Sequence, residues 1–450
     1  ARQLEQGQSQ ASYADVLRPG EAFTLPPTGM VVLWVDVYLP AGTAAGDYQA
    51  AVTVTPAGLP PVTVPVPVAA TGLTLPTSAS LDTAFCFSPT WVKDFYGQDP
   101  NREQMLAYGR FLLDHRLEPM NLWSRDVDIG EDCLDDCANN GKTMLFLPIR
   151  NIRENQNRLR ELIGRYHGRL RPIFFGHDEV LSSSTPGALE RMKKDYADAR
   201  ELFPEVPRLN TARIDERLFG YVTVWCPLFG HYEAEATAER QALGEQVWWY
   251  PTDYPLAPYA NFNLDSPGID PRVIPWMTWK LKLTGLLYWG LNREWRSNGA
   301  FEARQITPEF CTLRGLDWMT PETLENMRAG KTRWPDIPWL PYFRNVNNQS
   351  VSRTQGGGNL LYPGKDFQPL PSMRLKNLRD GLQDYEYFVM LRHQVAALRK
   401  RGGQEALMRD AEAALAIDDT VVGGPRSYTK DPAALLAFRS RIIDLVLRTR

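Results

Sequence analysis

Over residues 81–289 the chain repeats one texture: a short apolar run, then residues with apolar positions three and four apart, then another run. The runs fall at residues 83–87, 119–123, 143–147, 173–175, 208–211, 221–225, 246–250 and 285–289. Ile173-Phe174-Phe175, bulky and unbroken between Pro172 and Gly176, is what a strand covered on both faces requires. Between the runs, Met105, Tyr108 and Leu112, then Leu159, Leu162, Ile163 and Tyr166, then Leu189, Met192, Tyr196, Ala199 and Leu202 recur at helical spacing. Strands alternating with helices in this number predict an α/β fold, a (β/α)8 TIM-like barrel. An open doubly wound sheet is the competing arrangement, but no glycine fingerprint follows any run.

The fourth run ends abruptly in Gly176-His177-Asp178-Glu179. Neighbours on a regular strand point to opposite faces. Gly176 is expected to let the backbone leave that geometry, so that both carboxylates enter one pocket. Adjacent acids repel, which raises the pKa of one and supplies a neutral donor beside a charged stabiliser. The blander alternative is a solvated pair capping the next helix. In a barrel, chemistry sits where strands end, and those positions hold Ser88, Trp91, Trp123, Arg125, Trp225, Tyr250, Trp289, Asn292 and Trp295. Acids ringed by aromatics suit a carbohydrate site, where rings stack on sugars and a carboxyl protonates the glycosidic oxygen. For each ring, packing is the other reading.

Flanking segments differ. Residues 1–76 are rich in Val, Thr and Pro, with strand candidates at 30–38, 47–54 and 62–68, too few to close a sheet sandwich alone. Residues 71–80 read as a linker. After Trp295 comes a long stretch with few regular signals, through 349–355 and Gly356-Gly357-Gly358. The strongest helix follows, from Ser372 to about residue 400, stopped by Gly402-Gly403. Its charged run over residues 379–387 is expected to form ion pairs on a barrel-closing helix. Helices near 405–416 and 431–447 make a helical C-terminal segment.

Composition excludes several partners. The net charge is −3 with signs interspersed, so neither nucleic acid nor an anionic membrane is favoured. No run reaches the length of a membrane span, and the residues from Ala1 lack a signal-peptide pattern. Cys86 and Cys226 read as buried thiols, whereas Cys133 and Cys137, in an acidic loop, leave a local disulfide or a metal clip open. Their spacing fits neither a zinc finger nor a calcium loop. Among the five His only His177 lies at a strand end, where it reads as a hydrogen-bonding neighbour of the acids rather than a ligand. No metal and no cofactor is expected.

The segments His177-Asp178-Glu179, Trp248-Trp249-Tyr250, Arg272-Val273-Ile274-Pro275-Trp276-Met277, Leu287-Tyr288-Trp289-Gly290-Leu291-Asn292 and Leu361-Tyr362-Pro363-Gly364, with Ser372-Met373-Arg374-Leu375-Lys376 through Asp380-Gly381-Leu382-Gln383-Asp384-Tyr385-Glu386-Tyr387, resemble glycoside hydrolase family 123. Val35-Asp36-Val37-Tyr38-Leu39-Pro40 and Ala45-Gly46-Asp47-Tyr48 resemble the β-sandwich that precedes the barrel there. The resemblance implies a sandwich over 1–76, a catalytic barrel over 81–400 and helices packed on it over 401–450. It implies a retaining β-N-acetylgalactosaminidase without a protein nucleophile, acting on a glycan or glycoconjugate; because extended glycans are met mostly outside the cell, that substrate class predicts a secreted or periplasmic protein. By position, Glu179 is the general acid/base and Asp178 orients the substrate's 2-acetamido group. Tyr250 is assigned a bond to the acetamido oxygen, Trp225, Trp289 and Trp295 the subsite walls, and Asn292 a sugar hydroxyl. Gly356-Gly357-Gly358 departs from the family pattern, which carries an acid between glycines. The competing class is a non-catalytic glycan-binding or structural protein on the same barrel. Retention of two mutually repelling acids argues against it.

Overall fold

The computed structural model describes residues 14–20, 23, 30–121, 129–299, 306–313, 316, 318–340 and 356–450. Trp123, Arg125 and the segment 349–355 lie outside the described residues. All eight apolar runs become parallel strands: β3 (Asp82–Cys86), β4 (Pro119–Met120), β5 (Met144–Pro148), β6 (Arg171–Phe175), β7 (Leu209–Asn210), β8 (Val224–Trp225), β9 (Gln246–Trp249) and β10 (Gly285–Tyr288). They follow β1 (Gly46–Val54) and β2 (Val62–Ala70), an antiparallel hairpin.

Pairing curls the sheet. Six strands run in the order β4-β3-β10-β9-β8-β7, and β5 pairs with β6. A parallel bridge between Phe174 and Arg208 links β6 to β7. The last strand thus lies against the first, Gly285 opposite Asp82, which makes the domain TIM-like. No ladder joins β4 to β5 among the described residues. There buried Glu118 spans the gap, accepting from the Thr143 amide at 2.7 Å and the Thr143 hydroxyl at 2.7 Å and pairing with Lys142 at 3.2 Å.

Strand alternation sorts side chains into two cores. Ala84, Cys86, Met144, Phe146, Ile173, Phe175, Val224, Cys226, Trp248 and Leu287 fill the interior. Phe85, Leu145, Phe174, Trp225, Val247, Trp249 and Tyr288 face outward onto helices. These are α1 (Pro89–Tyr96), α2 (Arg102–Asp114), α3 (Leu134–Asn139), α4 (Ile152–Arg165), α5 (Ala188–Leu202), α6 (Ala234–Ala242) and α7 (Asp270–Lys280). Asn101 and Gln104 form a reciprocal capping box that starts α2. Further on come α8 (Pro308–Leu313), α9 (Pro321–Arg328), the hairpin of β11 (Leu361–Pro363) and β12 (Pro369–Pro371), α10 (Met373–Arg401), α11 (Glu405–Leu415) and α12 (Pro432–Arg448). α10 packs on α7 so closely that a Cβ at Gly381 would stand 2.3 Å from the Arg272 carbonyl oxygen. Its charged run forms ion pairs: Asp384 with Arg272 at 2.9 Å and with Arg439 at 2.6 Å.

The strand expected over 30–38 does not form, and residues 30–40 hold no regular structure. Val32, Val35 and Val37 stay exposed there, with no neighbouring strand among the described residues to bond the backbone. Asp36 anchors the segment to α10 through Lys376 at 2.7 Å and Arg379 at 3.0 Å. Among the described residues the N-terminal part forms a two-stranded ribbon. Cys133 and Cys137 are buried thiols rather than a disulfide.

Candidate active site

Beyond Phe175 the backbone does not turn at Gly176. Glycine is needed there because a Cβ would lie 2.9 Å from Ile149 Cγ2, in the connection leaving β5. The turn comes at Glu179, whose φ of 41° is left-handed. That conformation costs a non-glycine residue roughly 1–3 kcal/mol and persists only where neighbours enforce it. Thr211, just past β7, does so. Its Oγ1 accepts from the Glu179 amide at 2.9 Å and donates to Asp178 Oδ1 at 2.6 Å. Ser182 donates to the Glu179 carbonyl from both its amide and its hydroxyl, each at 3.0 Å.

Tyr250, at the end of β9, donates its hydroxyl proton to Glu179 Oε1. Burial first, then the facing Glu179 charge, holds that hydroxyl protonated far above the usual tyrosine range, so it acts as a donor. Solvent reaches both carboxyls, yet protein crowds Asp178 closely enough to raise its pKa. Burial, reinforced by the charge of Glu179, pushes it up to about 6 against the opposing pull of the Thr211 hydrogen bond and Arg150. The Arg150 guanidinium is tethered to the Gly176 carbonyl. The strand-end loops thus bring together two acids, a tyrosine donor, a threonine hydroxyl and a cation.

Other expected site residues sit elsewhere. His177 turns toward α5, its Nε2 2.8 Å from Asp195 Oδ2, so its acidic partner is Asp195 and not the Asp178–Glu179 pair. Burial lowers its pKa, partly offset by that bond. Trp225 is fully buried in the outer core, because on β8 the inward positions are Val224 and Cys226; its Nε1 donates to Glu245 at 2.6 Å. Trp295 is likewise fully buried there and donates to the Leu361 carbonyl at 2.8 Å. Neither has a face free for a sugar ring. Asn292 spends its side-chain amide on Ser88, accepting from the amide and donating to the carbonyl, each at 3.0 Å. It clasps two strand-end loops.

Trp289, just beyond the end of β10, stays half-buried and packs against the outer core. Its ring lies against Gly358, where a Cβ would approach Cη2 to 2.5 Å, and Gly358 has φ 76°. The glycine loop is held from behind. Gly358 N–H donates to the Tyr288 hydroxyl at 2.7 Å, and Arg374 donates to the Gly356 carbonyl at 2.8 Å. Arg374 is itself buried against Asp15 at 2.8 Å, a residue far away in the sequence. At the opposite end of the strands a cavity of about 270 Å³ is lined by Asp82, Arg171, Glu205 and Gln246, remote from the acid pair.

Sequence reasoning missed Thr211, Arg150 and the Asp15–Arg374 pair. Thr211 ends a recognised run, so its strand-end position was the available signal. For Asp15 there was none.

Comparison with known proteins defines the class first. Residues 178–391 match the family model described as "Glycoside hydrolase 123, catalytic domain", beginning at Asp178 and ending within α10. Over that segment the chain therefore carries a glycoside hydrolase catalytic domain of the family 123 type. No curated protein matches the chain. A solved family 123 glycoside hydrolase from Clostridium perfringens, whose structural analysis concerns glycolipid glycan hydrolysis, aligns with 90% of this chain and 76% of its own, at 11% identity and a TM-score of 0.48. A Parabacteroides merdae β-glucuronidase with glycerol in its active site aligns with 54% of this chain and 36% of its own, at 16% identity and a TM-score of 0.30.

Proposed function

We propose that the protein is a retaining exo-glycoside hydrolase that removes terminal β-linked N-acetylhexosamine, N-acetylgalactosamine favoured, through an oxazoline-type intermediate. The carrying observation is that Asp178 and Glu179 leave one strand end together, with Tyr250 donating to Glu179 and Thr211 to Asp178. One carboxyl protonates the leaving oxygen while the other, as an anion, faces the developing positive charge. Glu179 is assigned the proton and Asp178 the acetamido N–H. The acetamido oxygen attacks the anomeric carbon, the glycosidic bond breaks, and Glu179 gives its proton to the departing oxygen. Water then opens the oxazoline ring with Glu179 as base.

Tyr250 has one proton to give. In the substrate complex that proton goes to the acetamido oxygen, which releases Tyr250 from Glu179. Trp289 supplies an apolar wall. Extended glycans are met mostly outside the cell, so export accompanies this reading, as do the sandwich domain over 1–76 and the barrel limits of 81–400. No helix of the described residues is long and apolar enough to cross a membrane.

The test is nitrophenol release from β-linked N-acetylgalactosaminide, N-acetylglucosaminide and galactoside by wild type, Asp178→Asn and Glu179→Gln. Turnover of the acetamido sugars alone, lost by orders of magnitude in both variants, is expected. Comparable turnover of the galactoside would remove substrate assistance. Glycan binding without turnover would leave a binding protein.

A further inference from the structure

We propose that Thr211 is the positioning residue of the acid pair: one hydroxyl, accepting from the Glu179 amide and donating to the Asp178 carboxylate, sets both the orientation of the two carboxyls and the ionisation of Asp178. The inference rests on the hydrolase reading above and deepens it. A hydroxyl has a single proton. Because Oγ1 receives the Glu179 N–H at 2.9 Å, its proton is free to point at Asp178 Oδ1, 2.6 Å away. The same atom thereby couples a left-handed backbone to the side chain of the preceding residue. Rotate or remove it, and Glu179 loses the restraint on its amide while Asp178 loses a donor that favours its anion.

Other groups facing Asp178 come from every side of the mouth. Glu179 lies on its own loop, Arg150 comes from the end of β5, the Cys226 thiol from the end of β8 and the Tyr250 hydroxyl from the end of β9. Arg150 and Thr211 favour the anion; burial and Glu179 oppose it. Of the two favourable contacts, Thr211 is the one hydrogen-bonded to the carboxylate. Arg150 acts through charge across a solvent-accessible mouth, where screening is strong.

Thr211→Val removes the hydroxyl at nearly constant shape, and Thr211→Ser keeps it without the methyl. Two readouts are taken: the acidic limb of kcat/KM against pH on nitrophenyl β-N-acetylgalactosaminide, and the titration midpoint of Asp178 by carboxyl-carbon NMR, assigned with Asp178→Asn. In Thr211→Val both midpoints are expected to rise by about one pH unit, and in Thr211→Ser to return to the wild-type position. Thr211→Ala serves if the valine variant does not fold. An Asp178 midpoint unmoved by loss of the hydroxyl overturns the proposal, whatever happens to the rate. The NMR arm needs no turnover, so a protein that hydrolyses nothing yet shows the shift and its rescue keeps this inference while losing the hydrolase reading.

Discussion

The Tyr250 hydroxyl donates to the Glu179 carboxylate, joining the end of β9 to the turn after β6. Tyr250→Phe is expected to lower kcat roughly 10²-fold, the usual cost of one lost transition-state donor, with a smaller change in KM. Steady-state kinetics on an aryl N-acetylgalactosaminide measures the split. A loss confined to KM would restrict the hydroxyl to ground-state binding.

Asp178 has its pKa pushed up to about 6, from 3.8, chiefly by burial. In the proposed mechanism its working form is the anion, so kcat/KM is expected to fall as pH drops through about 6. For stability the sign is reversed. The folded state holds the proton more tightly than the unfolded chain, so the contribution present below 3.8 is lost as pH rises through about 6. Asp178→Asn should therefore gain in melting temperature over wild type between pH 4 and pH 8. An advantage that does not grow over that interval would contradict the assignment.

Asp15 and Arg374 form an ion pair in which each residue is at least 95% buried, and Arg374 carries the carbonyls of Phe262 and Gly356. Asp15→Ala leaves that guanidinium buried and unpaired, a loss of about 3–5 kcal/mol. Calorimetry should register it, and Arg374→Met added to Asp15→Ala should recover part. An additive double variant would mean that the pair is uncoupled.

Gly358 combines a left-handed φ of 76° with a Cβ direction that runs into the Trp289 ring at 2.5 Å. Gly358→Ala should displace the ring and raise KM with little change in the acidic limb of the pH profile. Trp289→Ala should raise KM in the same direction.

Trp225 tests the parity of β8. If it is outer-core packing, Trp225→Ala destabilises by about 3–5 kcal/mol, and Trp225→Phe keeps the wild-type KM. A KM effect in a stably folded Trp225→Phe would return the ring to the sugar site.

Much of the architecture was legible because a strand covered on both faces needs a continuous apolar run, and segments such as Ala84–Phe87, Met144–Leu147, Ile173–Phe175 and Leu286–Trp289 carried it. The acid pair was legible because nothing apolar explains Asp178-Glu179 directly after Ile173-Phe174-Phe175. Direction was not. Val224-Trp225-Cys226 is apolar at every position, so composition cannot say which parity faces the barrel interior, and Trp225 was placed on the wrong side. Asn292 was misread for a related reason: a strand-end amide is polar whether it meets a sugar or a backbone, and here Ser88 uses it.

Long-range pairing hid the rest. Asp15 meets Arg374 across the chain, and no local pattern encodes that. The turn was assigned to Gly176 because glycine is the usual left-handed residue, but tertiary restraint from Thr211 moved it to Glu179. In the N-terminal part, residues 30–38 had strand composition but, among the described residues, no strand to pair with, and propensity alone did not make one.

The account depends most on participation of the substrate's own acetamido oxygen beside Asp178 and Glu179. Its most direct measurement is kcat on an aryl β-N-acetylgalactosaminide series whose acetyl methyl carries zero, one, two or three fluorines, each of which weakens that oxygen as a nucleophile. The account predicts a steep fall in rate with every added fluorine, in wild type at a fixed pH above the acidic limb. A rate independent of fluorination, with hydrolysis still lost in Glu179→Gln, would contradict substrate assistance and require a nucleophile supplied by the protein or by water.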